Sequence, residues 1–200
     1  MLSLRNFAVP GMQTLDFDLQ KNEVLGLVGL RGAGHEAISR ALFGLVPFDG
    51  EVTLDGKVPD LSSPQKALHS GVGLVAKDRN EESVAMSLSV RENAFLNPDG
   101  IGRKMRDKLL SCEDPTAGVD VGAKSEIYAL RNRALGDGVA ILIMSTDFEE
   151  IATICHRVIV FSQGAIVDEL SGTRLTTENL IQSASAGNIS TEGSGANAVA

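Results

Sequence analysis

The sequence predicts an α/β fold, a mostly parallel sheet covered by helices on both faces, with a small antiparallel β flank. Three observations predict it. Short apolar runs at residues 24–28, 72–75, 109–112 and 139–144 read as buried strands. Segments with helical spacing alternate with these runs, as parallel pairing requires. Near the N-terminus, Leu15, Phe17 and Leu19 alternate with Asp16 and Asp18, the mark of a strand with one buried and one wet face.

Composition narrows the function classes. Two hundred residues suffice for one domain with a real core. Hydrophobic residues make up 43%, and no apolar run approaches the roughly 18–20 residues that span a bilayer. The N-terminus lacks the layout of a secretory signal. The chain therefore reads as cytosolic, or held at a membrane by partners. A net charge of −8 argues against nucleic acid, whose binding needs clustered positive charge. Cys112 and Cys155 sit in or beside apolar segments and read as buried thiols in a reducing compartment. His35, His69 and His156 are scattered, so no zinc pattern is visible.

In chain order, residues 2–7 and 12–19 read as two strands joined at Pro10-Gly11. The buried run 24–28 follows, then a glycine loop, then a helix with Ala37, Ile38, Ala41 and Leu42 at helical spacing and Gly44 beyond its end. Residues 51–58 read as a hairpin around Asp55-Gly56. Ser63-Pro64 starts a helix that closes at Gly71. The strand 72–75 leads into the polar loop Lys77-Asp78-Arg79-Asn80. Residues 87–96 fit a short helix, and the basic residues Arg103, Lys104, Arg106 and Lys108 read as a solvated connection. The strand 109–112 ends in Glu113-Asp114-Pro115, where proline disfavours helix at the residue before it. A helix over 121–135 places Ile127, Leu130 and Ala134 on one face. The strand 139–144 precedes Ser145-Thr146-Asp147, which caps a helix over 148–155. A strand pair turns at Gln163-Gly164, and a last helix covers 177–185. The small, polar stretch 187–200 reads as a disordered tail beyond a single domain of 1–186.

Two places carry chemistry. Gly29 and Gly34 have the spacing of the phosphate-binding pattern G-x-x-x-x-G-K-[ST]. A strand running through such a loop into a helix aims backbone N–H groups at one point, a natural anion site. However, His35 stands where the pattern has Lys, and Glu36 where it has Ser or Thr. The second place is the acid pair Glu113-Asp114. Adjacent carboxylates at the end of a buried strand require a reason, and a cation is the simplest. In open α/β sheets that edge is where ligands sit.

Taken together and in order, GLRGAG, KDRN, CEDPTAGVDVGAKSEIY, ILIMSTDFEEI and RVIVFSQGAIV resemble the ATP-binding subunits of ABC transporters. The likeness is greatest to the second of the two tandem nucleotide-binding domains of ribose/galactose-type bacterial sugar importers. It implies a P-loop NTPase-like (RecA-like) fold, with ATP and Mg2+ as cofactors. It also implies a second nucleotide-binding domain, transmembrane permease subunits and, indirectly, a periplasmic sugar-binding protein as partners, at the cytoplasmic face of the inner membrane. By resemblance, Gly29, Leu30, Arg31, Gly32, Ala33, Gly34, His35 and Glu36 wrap the phosphates. Lys77 falls at the Q-loop position, Glu113 at the magnesium-holding aspartate, and Asp114 at the glutamate that polarises the attacking water. Asp120 falls at the D-loop aspartate, Thr146 at the switch histidine, and Phe7 near the residue that stacks on adenine.

The departures from that family pattern bear on activity. A neutral His35 forgoes a charge-assisted hydrogen bond, roughly 1.5–3 kcal/mol, or about ten- to a hundredfold in nucleotide affinity. Arg31 is the nearest candidate to compensate. Asp114 is one methylene shorter than the family's base, and Thr146 carries no charge. The helical subdomain with its signature motif is expected between the Q-loop and the acids, but only residues 80–108 fill that interval, and the missing piece falls around 97–108. The chain thus reads as a degenerate, weakly hydrolysing ATP-binding domain. A non-catalytic structural or regulatory module stands as the alternative. Local roles compete with some family roles: Asp120 and Asp147 are also natural helix caps, and Lys77 also reads as an exposed loop charge.

Overall fold

The computed structural model describes residues 1–78, 82, 85–89, 92 and 108–192. Arg79, Arg103, Lys104, Arg106, residues 193–200 and most of the helix expected over 87–96 lie outside them.

Two sheets form the core. The smaller is antiparallel and comprises β1 (Leu2–Ala8), β2 (Leu15–Leu19) and β4 (Asp49–Leu54), in the order β2-β1-β4. The larger comprises β3 (Val24–Gly29), β5 (Val72–Val75), β6 (Leu109–Glu113), β7 (Ala140–Ser145), β8 (Arg157–Ser162) and β9 (Ala165–Ser171). Its order is β5-β6-β7-β3-β8-β9, parallel except for the final β8-β9 hairpin. The helices that bear on the fold are α1 (Glu36–Leu42), α2 (Pro64–Ser70), α3 (Val121–Gly136), α4 (Phe148–Ile154) and α5 (Thr177–Glu192).

The strand period of two explains both covered faces. Leu25, Leu27, Leu142, Met144, Ile159 and Phe161 face one way, into a core shared with α1 and the antiparallel sheet. Val24, Val28, Ile141, Ile143, Val158 and Val160 face the other way, onto the layer that holds α4 and α5. Gly26 lies under that second layer: a Cβ there would stand 3.0 Å from both Cys155 Sγ and Ile151 Cγ2. Both thiols are buried, and burial pushes each up to about 12, so they act as core hydrophobes.

Several local expectations hold at the residues that carry them. Ser63 caps α2 by accepting from the Lys66 N–H, with Pro64 in the first turn and Gly71 left-handed at its end. Asp147 caps α4 by accepting from Glu150 N at 3.0 Å. Asp147→Ala should therefore lower stability by about 1 kcal/mol, read as an earlier urea midpoint. An unchanged midpoint would mean that the cap is redundant.

Three local readings are corrected. Asp55 and Gly56 make the expected positive-φ turn, but only a Leu54–Lys57 bridge follows. β4 takes β1 as its partner instead, and Val58 is left 82% exposed. In α3, Leu130 is 60% exposed, while Tyr128 and Leu135 pack on the core. One residue step turns a helix by about 100°, enough to carry Leu130 off the buried face. His156 pins the start of the central strand: its Nδ1 accepts from Val24 N at 2.9 Å. The last helix reaches Glu192, past the expected end at 185, because extending an anchored helix costs little per residue.

Candidate functional site

β3, β5, β6 and β7 run parallel, so their carboxyl ends share one edge of the sheet. The glycine loop leaves from β3, Lys77 follows β5, Glu113 ends β6, and Thr146 follows β7. The fold thus gathers segments from distant parts of the sequence at the edge where open α/β sheets hold ligands.

The loop is built by close approach. At Gly29 a Cβ would lie 2.6 Å from Ala33 Cβ and 2.8 Å from the Phe161 carbonyl oxygen, so no side chain fits. Gly32 and Gly34 have φ of +86° and +88°, which glycine adopts without strain. Ala33 N–H closes a turn onto Leu30 O at 2.9 Å. Among the described residues, no protein acceptor takes the N–H groups of Gly32, Gly34, His35 or Glu36. These donors are available to an anion. From behind, the β8-β9 turn holds the loop: Gly164 N–H donates to Ala33 O at 3.1 Å, and Gln13 N–H donates to Gly164 O at 2.9 Å. A Cβ on Gly34 would lie 3.0 Å from Met12 Cγ, so that side chain packs close too.

His35 is 2% exposed, stacked on Phe161 at 6.0 Å between ring centroids, and neither ring nitrogen has a hydrogen-bond partner. Burial drives its pKa down to about 4, against the pull of Asp114 and with the push of Lys77. At neutral pH the imidazole is uncharged. Leu30, Arg31 and Gly32 are exposed, and the Arg31 charge opposes that of Lys77.

The acid pair lies beside α1 and is already engaged. Glu113 is 5% exposed. Its Oε1 accepts from Ser39 Oγ at 2.6 Å. Its Oε2 accepts from Arg40 at 3.1 Å and from the Lys77 N–H at 3.3 Å. Arg40 also pairs with Glu82 at 2.9 Å. Asp114 Oδ2 meets Lys77 Nζ at 2.7 Å, and Asp114 Oδ1 accepts from Thr146 N at 3.3 Å. Burial would raise the Asp114 pKa, but Lys77, Ser145 and Thr146 hold the carboxyl below the usual range. Asp114 has a φ of +42°, a left-handed conformation that costs of order 1 kcal/mol and that Asp tolerates better than most residues. Pro115 excludes the right-handed helical region there, as expected, but the backbone turns left-handed.

The structure therefore brings together the loop, Lys77, Glu113, Asp114 and Thr146. Lys77 Nζ also lies 3.9 Å from Glu36, spanning the loop and the acids. Asp120 caps α3 by accepting from Ala123 N at 3.0 Å. Phe7 cannot stack on a base: it is fully buried against Phe48, with ring centroids 5.0 Å apart, because its strand faces the core there. Sequence reasoning missed Ser39 and Arg40. The available signal was spacing, since Glu36, Ser39 and Arg40 share one face of α1 and Ser39 is a polar residue among core positions. It also missed Glu150, which accepts from Thr116 at 2.6 Å and Tyr128 at 2.9 Å and ties the segment after Pro115 to α3 and α4.

Magnesium, the ion that the family implies, would have to draw on this donor set. The ion demands near-octahedral oxygen coordination. Both Glu113 oxygens are taken by protein donors, and Asp114 is paired with an ammonium. The residues present do not fit magnesium.

A parallel sheet with a glycine loop at its carboxyl edge, spaced as Gly29 and Gly34 are, is the arrangement of the P-loop NTPase class. Solved structures share this fold: cbiO1 from Clostridium perfringens, part of an ABC transporter complex, has a TM-score of 0.66 at 18% identity over 90% of this chain and 92% of its own. The ADP conformation of MJ1267, an ATP-binding cassette, has a TM-score of 0.69 at 14% identity over 94% of this chain and 98% of its own. The chain belongs to the ABC transporter family, whose pattern matches residues 12–170. Among relatives, the ribose import ATP-binding protein RbsA 3 of Rhizobium meliloti is 33% identical over 221 residues, 85% of this chain and 44% of that protein. The ribose import ATP-binding protein RbsA of Bacillus licheniformis is 31% identical over 225 residues, 88% of this chain and 46% of that protein. The chain thus spans about half the length of these relatives.

Proposed function

We propose that this chain is an ATP-binding domain of a bacterial sugar-importing ABC transporter. In this reading, ATP's phosphates rest on the loop from Leu30 to Glu36 and hydrolysis by the domain itself is weak. The observation that carries it is the glycine loop with untaken N–H donors beside a family match to ribose import ATP-binding proteins. Weak hydrolysis follows from the residues. His35 is neutral and buried, so it brings no charge to the phosphates. Asp114 fills the role of the water-polarising acid, but the Lys77 ammonium depresses its basicity. Thr146 stands at the γ-phosphate-contacting position with its N–H committed to Asp114. Asp120 keeps the family role of facing a second domain.

The partners proposed are a second nucleotide-binding domain, permease subunits in the membrane and, through them, a periplasmic sugar-binding protein. Among the described residues no helix is long and apolar enough to cross a membrane, which suits attachment through such subunits at the cytoplasmic face. The absence of the signature subdomain around 97–108 also belongs to this reading. Its support is that 221 aligned positions take in 85% of this 200-residue chain, so the relative carries additional residues between the matched ends.

Fluorescent ATP-analogue binding tests the proposal. His35→Lys with Glu36→Thr should tighten binding about tenfold, by restoring one charge-assisted contact and removing a carboxylate. An unchanged affinity would show that the loop is not the phosphate site. The ion-paired acids favour a second reading, a non-catalytic module docking on transporter partners. Undetectable binding at millimolar nucleotide would select it.

A further inference from the structure

The cation missing from one side of the loop is present on the other. Position 35 holds an uncharged ring with no hydrogen-bond partner. Across the sheet edge, Lys77 Nζ stands 2.7 Å from Asp114 and 3.9 Å from Glu36. These carboxylates belong to two different segments, one in the first turn after the loop and one after β6. Arg40, meanwhile, supplies the positive charge beside Glu113. Two protein cations therefore occupy the places where a divalent ion would have to coordinate.

We propose that Lys77 is the resident cation of this site, so that the chain binds a nucleoside triphosphate without a divalent metal. This rests on the phosphate-site reading given above. An ammonium has three donors in a mobile arrangement, and Asp114 takes only one at short range. Lys77 is half-exposed, so its remaining donors can reach an incoming anion. The same ammonium offsets Glu36, whose carboxylate would otherwise repel phosphate oxygens at the mouth of the loop. With Glu113 satisfied by Ser39 and Arg40, a metal would gain ligands only by breaking buried hydrogen bonds.

The test is the affinity of a fluorescent ATP analogue for the full chain, measured in magnesium and again in excess EDTA. The expected result is the same affinity in both. Lys77→Met should weaken binding about tenfold or more in EDTA, whereas Lys77→Arg should retain it. Lys77→Gln frees Asp114 and should bring in a dependence on magnesium. Circular dichroism melts establish that each variant is folded. Wild-type binding that vanishes in EDTA overturns the metal-free inference and leaves the phosphate-site reading standing. Wild-type binding absent in both buffers overturns both. Lys77→Met with wild-type affinity overturns the role of Lys77 alone.

Discussion

Arg40→Met should cost the fold about 3 kcal/mol, the scale of a buried ion pair broken from one side. Methionine keeps an apolar stem in place of the arginine's, so the loss isolates the charge. Glu113 is then left buried with the Ser39 hydroxyl and one backbone N–H as donors. A second change, Glu113→Gln, removes the stranded charge and should recover much of the stability, giving a strong coupling in a double-mutant cycle. Urea unfolding of the four proteins measures it. A loss below about 1 kcal/mol for Arg40→Met, the range of an exposed pair, would show that the interaction behaves like a surface ion pair.

The second large effect is acid lability. His35 is uncharged in the native state down to about pH 4, while in the unfolded chain it takes a proton near its ordinary value of 6.5. Between these values the unfolded state binds more protons, so stability rises with pH across that window and falls on acidification. The full loss, reached below about pH 4, is of order 3 kcal/mol. It differs in sign from a paired histidine, which stabilises on acidification. Urea midpoints taken from neutral pH down to about 4 should decline, and His35→Leu should flatten that decline. Parallel slopes for the two proteins would exclude His35 as the source.

The fold was legible wherever one segment carried its own signal. The run before Gly29 is buried on both faces and reads as near-continuous apolar sequence. Asp147 and Ser63 announce their helices by chemistry that acts within three residues. The acids at the end of β6 were visible as acids, but their partners were not. Ser39 meets Glu113 across 74 residues of sequence, a pairing that only the β6-β7-β3 strand order produces. Phe7 misled for a related reason: an aromatic near a loop looks available until the facing sheet covers it. Leu130 failed because helical spacing defines a stripe only to within a residue, and the packing partner decides which side of the stripe is covered.

The turn at Gln163-Gly164 has a consequence for what arrives at the loop. It grips Ala33 and is itself held by Gln13, so three distant stretches immobilise one another. On the phosphate-site proposal, a ligand landing here meets donors whose directions were settled when the chain folded. Little backbone freedom is left to freeze on arrival, and even a site with few charges keeps more of its contact energy as affinity.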